Sequence, residues 1–381
     1  MLEAPGCPLI EIILSKAVRI LAILATGLSA PAIGACSSIG PATVPRDRAD
    51  YSAAIGDSWK QQTLRNIVKL RYGDFPVFME IAQVITGYTF ATTAAAGFGA
   101  ANFTSTSVGG PAAIGGNAAV GATYIDRPTV VYAPLTGNDF IKTLMRPIPP
   151  AAVLFLLQSG YAATVVLPIA VDSINGVANE SRRPGMSRPG DPEFTRLVQL
   201  LYELQRANAL QIRVDRSKDN SETSVIGFPP VSVTPEVVAK IAEVRRILHL
   251  TGAGRSHRVH YGGWSGKGDE IAIVTRSMLQ VMMELGIFAQ VPEADIAGGK
   301  ATMGAGNSPS PGSEQPPLLN IMSGGAPPLD AFAAIEYKGR WFWIPDNDIR
   351  SKSIFSGVML LFSISDVGVR TAAPVVTIPA Q

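Results

Sequence analysis

The side chains able to do chemistry are few and scattered along this chain. His257-Arg258-Val259-His260 holds two of its three histidines. Two residues between imidazoles on an extended or turning segment do not bring both rings to one metal ion, and no cysteine or close carboxylate completes a ligand set. Gly262-Gly263-Trp264-Ser265-Gly266-Lys267-Gly268 is the most site-like string. It is not a phosphate-binding P-loop, because Gly268 stands where a hydroxyl should meet magnesium, and not a nucleophile elbow, because Lys267 takes the second glycine position. Backbone amides in such a turn could hold an anion, but a tight hairpin leading into a strand over Glu270–Val274 accounts for the same residues. Asp269 and Glu270 are adjacent, so on a strand they face opposite ways and cannot act as a carboxylate pair.

Trp341-Phe342-Trp343-Ile344 is expected as a strand with Trp341 and Trp343 on one face and Phe342 and Ile344 on the other. Such a tryptophan pair either stacks on sugar rings or partners, or closes a core. No catalytic residue, metal ligand or cofactor site is assigned from these strings.

Covalent chemistry is expected at Cys36. Lys16 and Arg19 precede the apolar run Ile20–Leu28, and small residues follow in Ser29-Ala30-Pro31-Ala32, the order of a secretory signal. The processing site reads Ile33-Gly34-Ala35-Cys36, which resembles the lipobox of bacterial lipoproteins. That likeness implies removal of residues 1–35 and diacylation of the Cys36 thiol. Ser37 at the next position implies outer-membrane sorting, with the body facing the periplasm. The one other cysteine, Cys7, lies in the removed segment, so no disulfide is expected. Two or three acyl chains on one residue make a practically permanent anchor.

The elements that follow are mixed. Lys+Arg 32 against Asp+Glu 30 argues against a nucleic-acid binder, which would carry a basic excess. Residues 36–50 read as the lipidated Cys and a tether. Residues 51–179 read as an N-terminal α+β part that opens with a helix at Asp57-Ser58, and residues 191–381 as a C-terminal α+β part. The Pro/Gly-rich loop Glu180–Pro192 lies between them. Helices are expected near Glu193–Ala207, Thr234–His249 and Thr275–Phe288. Strands are expected over Thr164–Ile174, Gln211–Asp215, Thr223–Phe228, Ala331–Tyr337, Arg340–Ile344, Ile354–Ile364 and Val375–Ile378. Residues 298–317 form a low-complexity loop.

From Ile81 to Ile125 there is no Asp, Glu, Lys or Arg, where the average charge content of 16% would place about seven. The stretch reads as one long β-hairpin around Gly109-Gly110-Pro111 or as a small-residue loop. A hairpin centred near Gly110 sets Tyr88 opposite Tyr132 and Phe98 opposite Ala122. Tyr88, Phe90 and Phe98, with Phe103 further on, are its candidate membrane or partner contacts.

Three groups of residues carry a wider likeness: Asp57-Ser58-Trp59-Lys60 through Lys69-Leu70-Arg71-Tyr72-Gly73-Asp74; Asp126-Arg127-Pro128-Thr129 through Pro134-Leu135-Thr136-Gly137; and Trp341-Phe342-Trp343-Ile344 with Met359-Leu360-Leu361-Phe362-Ser363. On these the chain resembles a group of Gram-negative outer-membrane lipoproteins with no assigned activity. The expectation is a lipid-anchored, non-enzymatic envelope scaffold or an accessory of outer-membrane assembly or export, partnered by the membrane and by its own copies or envelope-complex proteins. A periplasmic hydrolase or a glycan-binding module is the alternative.

Overall fold

A computed structural model describes residues 39–85, 87–100, 114–183, 187–216, 222–228, 234–252, 254–304 and 317–365. Cys36, Phe103, the expected turn at Gly109-Gly110 and the expected strand Val375–Ile378 lie outside them. In chain order the elements are α1 (Ile39–Arg71), β1 (Met79–Ile85), β2 (Tyr88–Ala100), β3 (Ile114–Asp126), β4 (Thr129–Pro134), α2 (Gly137–Phe140) running into a π-helical turn Ile141–Met145, α3 (Pro150–Gln158) and α4 (Ala163–Ala170). Then come β5 (Val171–Ile174), β6 (Val177–Ala178), α5 (Pro192–Arg206), β7 (Gln211–Arg216), β8 (Glu222–Gly227), α6 (Pro235–Ile247), β9 (Ser256–Tyr261) and β10 (Glu270–Thr275). The last are α7 (Met278–Gly286), α8 (Glu293–Ala297), β11 (Met322–Gly324), β12 (Ala331–Tyr337), β13 (Arg340–Pro345) and α9 (Ile349–Ser365). The chain is α+β.

Two compact units divide it: Met1–Ala54 with Gln83–Val131, and Ile55–Ala82 with Tyr132–Gln381. The loop Glu180–Pro192, expected between two parts, lies inside the second unit.

In the first unit β2 and β3 pair antiparallel from Tyr88↔Asp126 to Ala100↔Ile114. The expected register is six residues out: Phe98 lies opposite Gly116, not Ala122, and Tyr88 opposite Asp126, not Tyr132. Tyr132 belongs to β4, which pairs with β1. The observed register sets Phe90 against Tyr124 and Thr89 against Ile125, cross-strand aromatic and β-branched pairs of the kind that stabilise a ladder. The expected tether at 36–50 is also corrected from Ile39 onward, where α1 begins. Ala- and Arg-rich sequence after Pro45 favours helix over an extended link.

In the second unit the main sheet runs β6-β5-β10-β9-β8-β7. The pair β9–β10 is parallel, Glu270↔Arg258 to Ile273↔Tyr261. The expected tight hairpin over Gly262–Gly268 is therefore wrong, since two parallel neighbours need a chain that doubles back between them. A two-residue hairpin of this sheet is β5–β6, turned by Asn175 (φ 47°) and Gly176 (φ 83°). Asn175 Nδ2 also donates to the Leu248 carbonyl (2.7 Å), and its Oδ1 accepts the Ala272 amide (2.7 Å).

Helix α5 buries Phe194, Leu197, Leu201 and Leu204 at helical spacing against this sheet's layer. Its Gln205 explains another correction. Thr164–Ala170 was expected as strand because it is β-branched, yet it is α4. Gln205 Oε1 accepts the Ala163 amide (3.2 Å), while its Nε2 donates to the carbonyls of Leu157 (2.8 Å) and Tyr161 (2.9 Å). One side chain thus satisfies open backbone groups at the end of α3 and the start of α4. Burial of Ala163, Val166, Leu167 and Ala170 then outweighs weak intrinsic propensity.

The second sheet is β11-β13-β12, with β13 central. Phe342 and Ile344 are fully buried beneath it, together with Ile354, Phe355, Val358 and Leu361 of α9. The expected strand Ile354–Ile364 is therefore helix.

Candidate functional site

The two expected imidazoles sit on β9, three residues apart and so on opposite faces. His257 is buried. Its Nδ1 lies 3.2 Å from the Asp269 carbonyl, and desolvation holds its pKa below the ordinary value, which favours the neutral ring. His260 is half-exposed, 4.0 Å from Glu270. Among the described residues no group of three or more His, Cys, Asp or Glu could hold a metal ion. The connection from β9 to β10 folds back on itself: Trp264 Nε1 donates to Lys267 O (3.4 Å), the Ser265 hydroxyl donates to Glu270, and the Trp264 ring stacks on His249 (5.0 Å, 19°).

Trp341 and Trp343 share one face of β13, and both are half-buried. Trp343 lies over Gly324, where a Cβ would come within 3.0 Å of its ring. A stacked sugar needs an open ring face, and Trp343 already uses part of its own for packing.

The densest chemistry lies where sequence reading placed none. Asp172 on β5, Arg276 after β10, Glu284 on α7, and Ser181, Arg183 and Arg188 of the β6–α5 loop form one charged network. Glu284 accepts the Ser181 hydroxyl (2.8 Å) and the Arg182 amide (3.0 Å), with Arg183 Nε at 3.2 Å. Asp172 faces Arg188 (3.2 Å), Arg183 (3.6 Å) and Arg276 (3.8 Å). Arg276, 2% exposed, donates to the carbonyls of Pro168 (2.9 Å) and Glu180. Desolvation pulls its pKa down, against the opposing pull of Glu284 and Asp172. The hydrogen bonds of the network run to the loop and to the end of α4, while Asp172 Oδ1 and Arg276 Nε, both buried, have no hydrogen-bond partner among the described residues. The network ties residues 179–191 to β5, β10 and α7, and its one hydroxyl–carboxylate contact, Ser181 to Glu284, is buried on both sides.

A second cluster closes α1. Tyr72 donates to Asp295 (2.9 Å), Tyr337 donates to Asp74, and Lys338 bridges to Asp74 (2.9 Å) above the Tyr72 ring (4.9 Å). Beside them Arg71 is 2% exposed with no carboxylate partner among the described residues. Its Nη1 meets Thr302 Oγ1 (3.1 Å), while Nε and Nη2 have no hydrogen-bond partner among the described residues. Gly304 crosses so close that a Cβ there would collide with the Arg71 guanidinium.

Burial lowers the Arg71 pKa from its ordinary value to about 10. The unfolded chain therefore holds this proton more tightly, so the charge costs stability below about pH 10, and the cost fades as pH rises above that. Arg71→Met is expected to stabilise the fold by about 1–4 kcal/mol near neutral pH. A lowered thermal midpoint would mean instead that the guanidinium holds a partner.

The ribbon β2–β3 carries the remaining expected contacts. Its register places Tyr88, Phe90 and Phe98 on one face, with Tyr124 beside Phe90. No family model, no curated protein and no solved structure matches this chain.

Proposed function

We propose that this chain is a lipid-anchored, non-enzymatic scaffold of the Gram-negative envelope, acylated at Cys36, held on the outer membrane with its body in the periplasm, and serving assembly or export there. The observation that carries the reading is Ile33-Gly34-Ala35-Cys36 behind a basic segment and the apolar run Ile20–Leu28. The resemblance to outer-membrane lipoproteins and Ser37 support the same placement. A structural role fits the second unit, whose largest charged network holds a loop in place and whose tryptophan pair covers the β11-β13-β12 sheet. No helix of the described residues is long and apolar enough to cross a membrane.

Cells expressing Cys36→Ala, labelled with a fatty-acid probe, are expected to show no labelled protein, and the body should leave the membrane fraction. Undiminished labelling and retention would sink the reading.

A further inference from the structure

Three properties of the β2–β3 ribbon belong together. Each strand is thirteen residues long, and among the described residues no third strand pairs with either one, so both edges are open. No charge occurs until Asp126-Arg127 at the base. The register also sorts the two faces. Tyr88, Phe90, Thr92, Ala94, Ala96, Phe98, Ile114, Val120 and Tyr124 share one, with Asp126 at its base; Thr89, Thr93, Asn117, Thr123 and four glycines and alanines of β2 share the other, with Ile125 at its base. On that second face the Thr93 hydroxyl donates across to the Gly121 carbonyl (3.4 Å), a polar contact that the glycine leaves room for.

Resting on the reading of this chain as an envelope protein, we infer that β2–β3 ribbons from several copies pair edge to edge into one closed barrel embedded in the membrane, each copy lending two strands. Length, edges and faces each support this. Thirteen residues extend ~43 Å at ~3.3 Å each, or ~33 Å along the normal at a tilt of ~40°, more than the ~25 Å apolar band of such barrels. A lone ribbon cannot insert, because the unpaired N–H and C=O groups of its edges each cost several kcal/mol in hydrocarbon. The occupant that satisfies both edges equally is another copy: the free edge of β2 pairs with the free edge of β3 of the next, and the repeated head-to-tail contact closes a ring. The apolar face then meets lipid, with Tyr88, Phe90 and Tyr124 at the base where barrels carry an aromatic girdle. The Thr, Asn and Gly face lines the lumen.

The test uses the full chain in isolated membranes. Single cysteines are placed in turn at Thr92, Thr93, Ala94, Ala95, Ala96 and Gly97, reduced, and labelled with a membrane-impermeant maleimide. The introduced thiol stands alone, because Cys7 is removed and Cys36 is acylated. Positions 93, 95 and 97 are expected to react and 92, 94 and 96 to be protected, in a species several protomers in size in mild detergent. Ala96→Lys should deplete that species by about thirtyfold or more, while Ala95→Lys leaves it intact. Uniform labelling, uniform protection, the opposite phase or a monomer throughout would each overturn the barrel. Fatty-acid labelling of the same variants reports the anchor separately, so a failed ribbon with an intact anchor is distinguishable from a failed anchor.

Discussion

Glu284→Ala is expected to destabilise the second unit by about 3–5 kcal/mol, the range for breaking a buried ion pair by removing one partner. The carboxylate is buried and accepts the Ser181 hydroxyl and the Arg182 amide, with Arg183 Nε at 3.2 Å and Arg276 Nη2 at 3.8 Å. Its removal leaves three guanidinium groups, those of Arg183, Arg188 and Arg276, around Asp172 alone, and frees the loop that enters α5. Glu284→Gln keeps an acceptor for the loop but loses the charge, so its cost should fall between wild type and alanine. Arg276→Met together with Glu284→Ala should cost less than the two single changes summed, because each single change strands the other's charge. Thermal unfolding of the wild type, the three single variants and the double variant in mild detergent measures this. A loss within about 0.5 kcal/mol for Glu284→Ala is the behaviour of a solvated surface site and would remove the network from the account of stability.

None of this network was legible in the sequence, for a physical reason. Residues 172, 183, 188, 276 and 284 meet only because β5 and β10 are neighbours in the sheet, and strand partnership is a non-local choice that no local pattern encodes. The arginines at 182, 183 and 188 stand in the Pro/Gly-rich loop Glu180–Pro192, but nothing local names their partners. The parallel β9–β10 pair was hidden in the same way, since glycines at 262, 263, 266 and 268 permit a hairpin and a doubling-back equally well. What was legible had local causes. Helix α6 was readable from Thr234 accepting the Val237 amide with Pro235 at the first helical position. The faces of β13 were readable from strict alternation. The ribbon announced itself through missing charge, while its register did not, because Ala- and Gly-rich strands offer few cross-strand preferences to fix one.

Helix α9 was legible in principle, and its misreading yields the second large expected effect. Ile, Phe, Val and Leu over 354–364 suggest a strand by composition, but the buried positions Ser351, Ile354, Phe355, Val358, Leu361 and Phe362 recur at three and four residues, the period of a helix. Phe355, fully buried, meets the Phe332 ring edge-on (6.1 Å, 88°), and Lys60 (4.9 Å) and Lys352 (5.4 Å) both lie over Phe332. Phe355→Ala should therefore cost about 3–5 kcal/mol through lost burial and the cavity left behind, and Ile354→Ala about 2–5 kcal/mol. Val358→Ala should cost clearly more than Ser356→Ala, which lies on the exposed face and should fall within about 0.5 kcal/mol. The order along the chain is the decisive reading. Two adjacent costly positions, then a free one, then a costly one at 358 belong to a helix packed on β13. A strand with one buried face would alternate instead, grouping 354, 356 and 358 against 355, and thermal midpoints in that order would refute the helix.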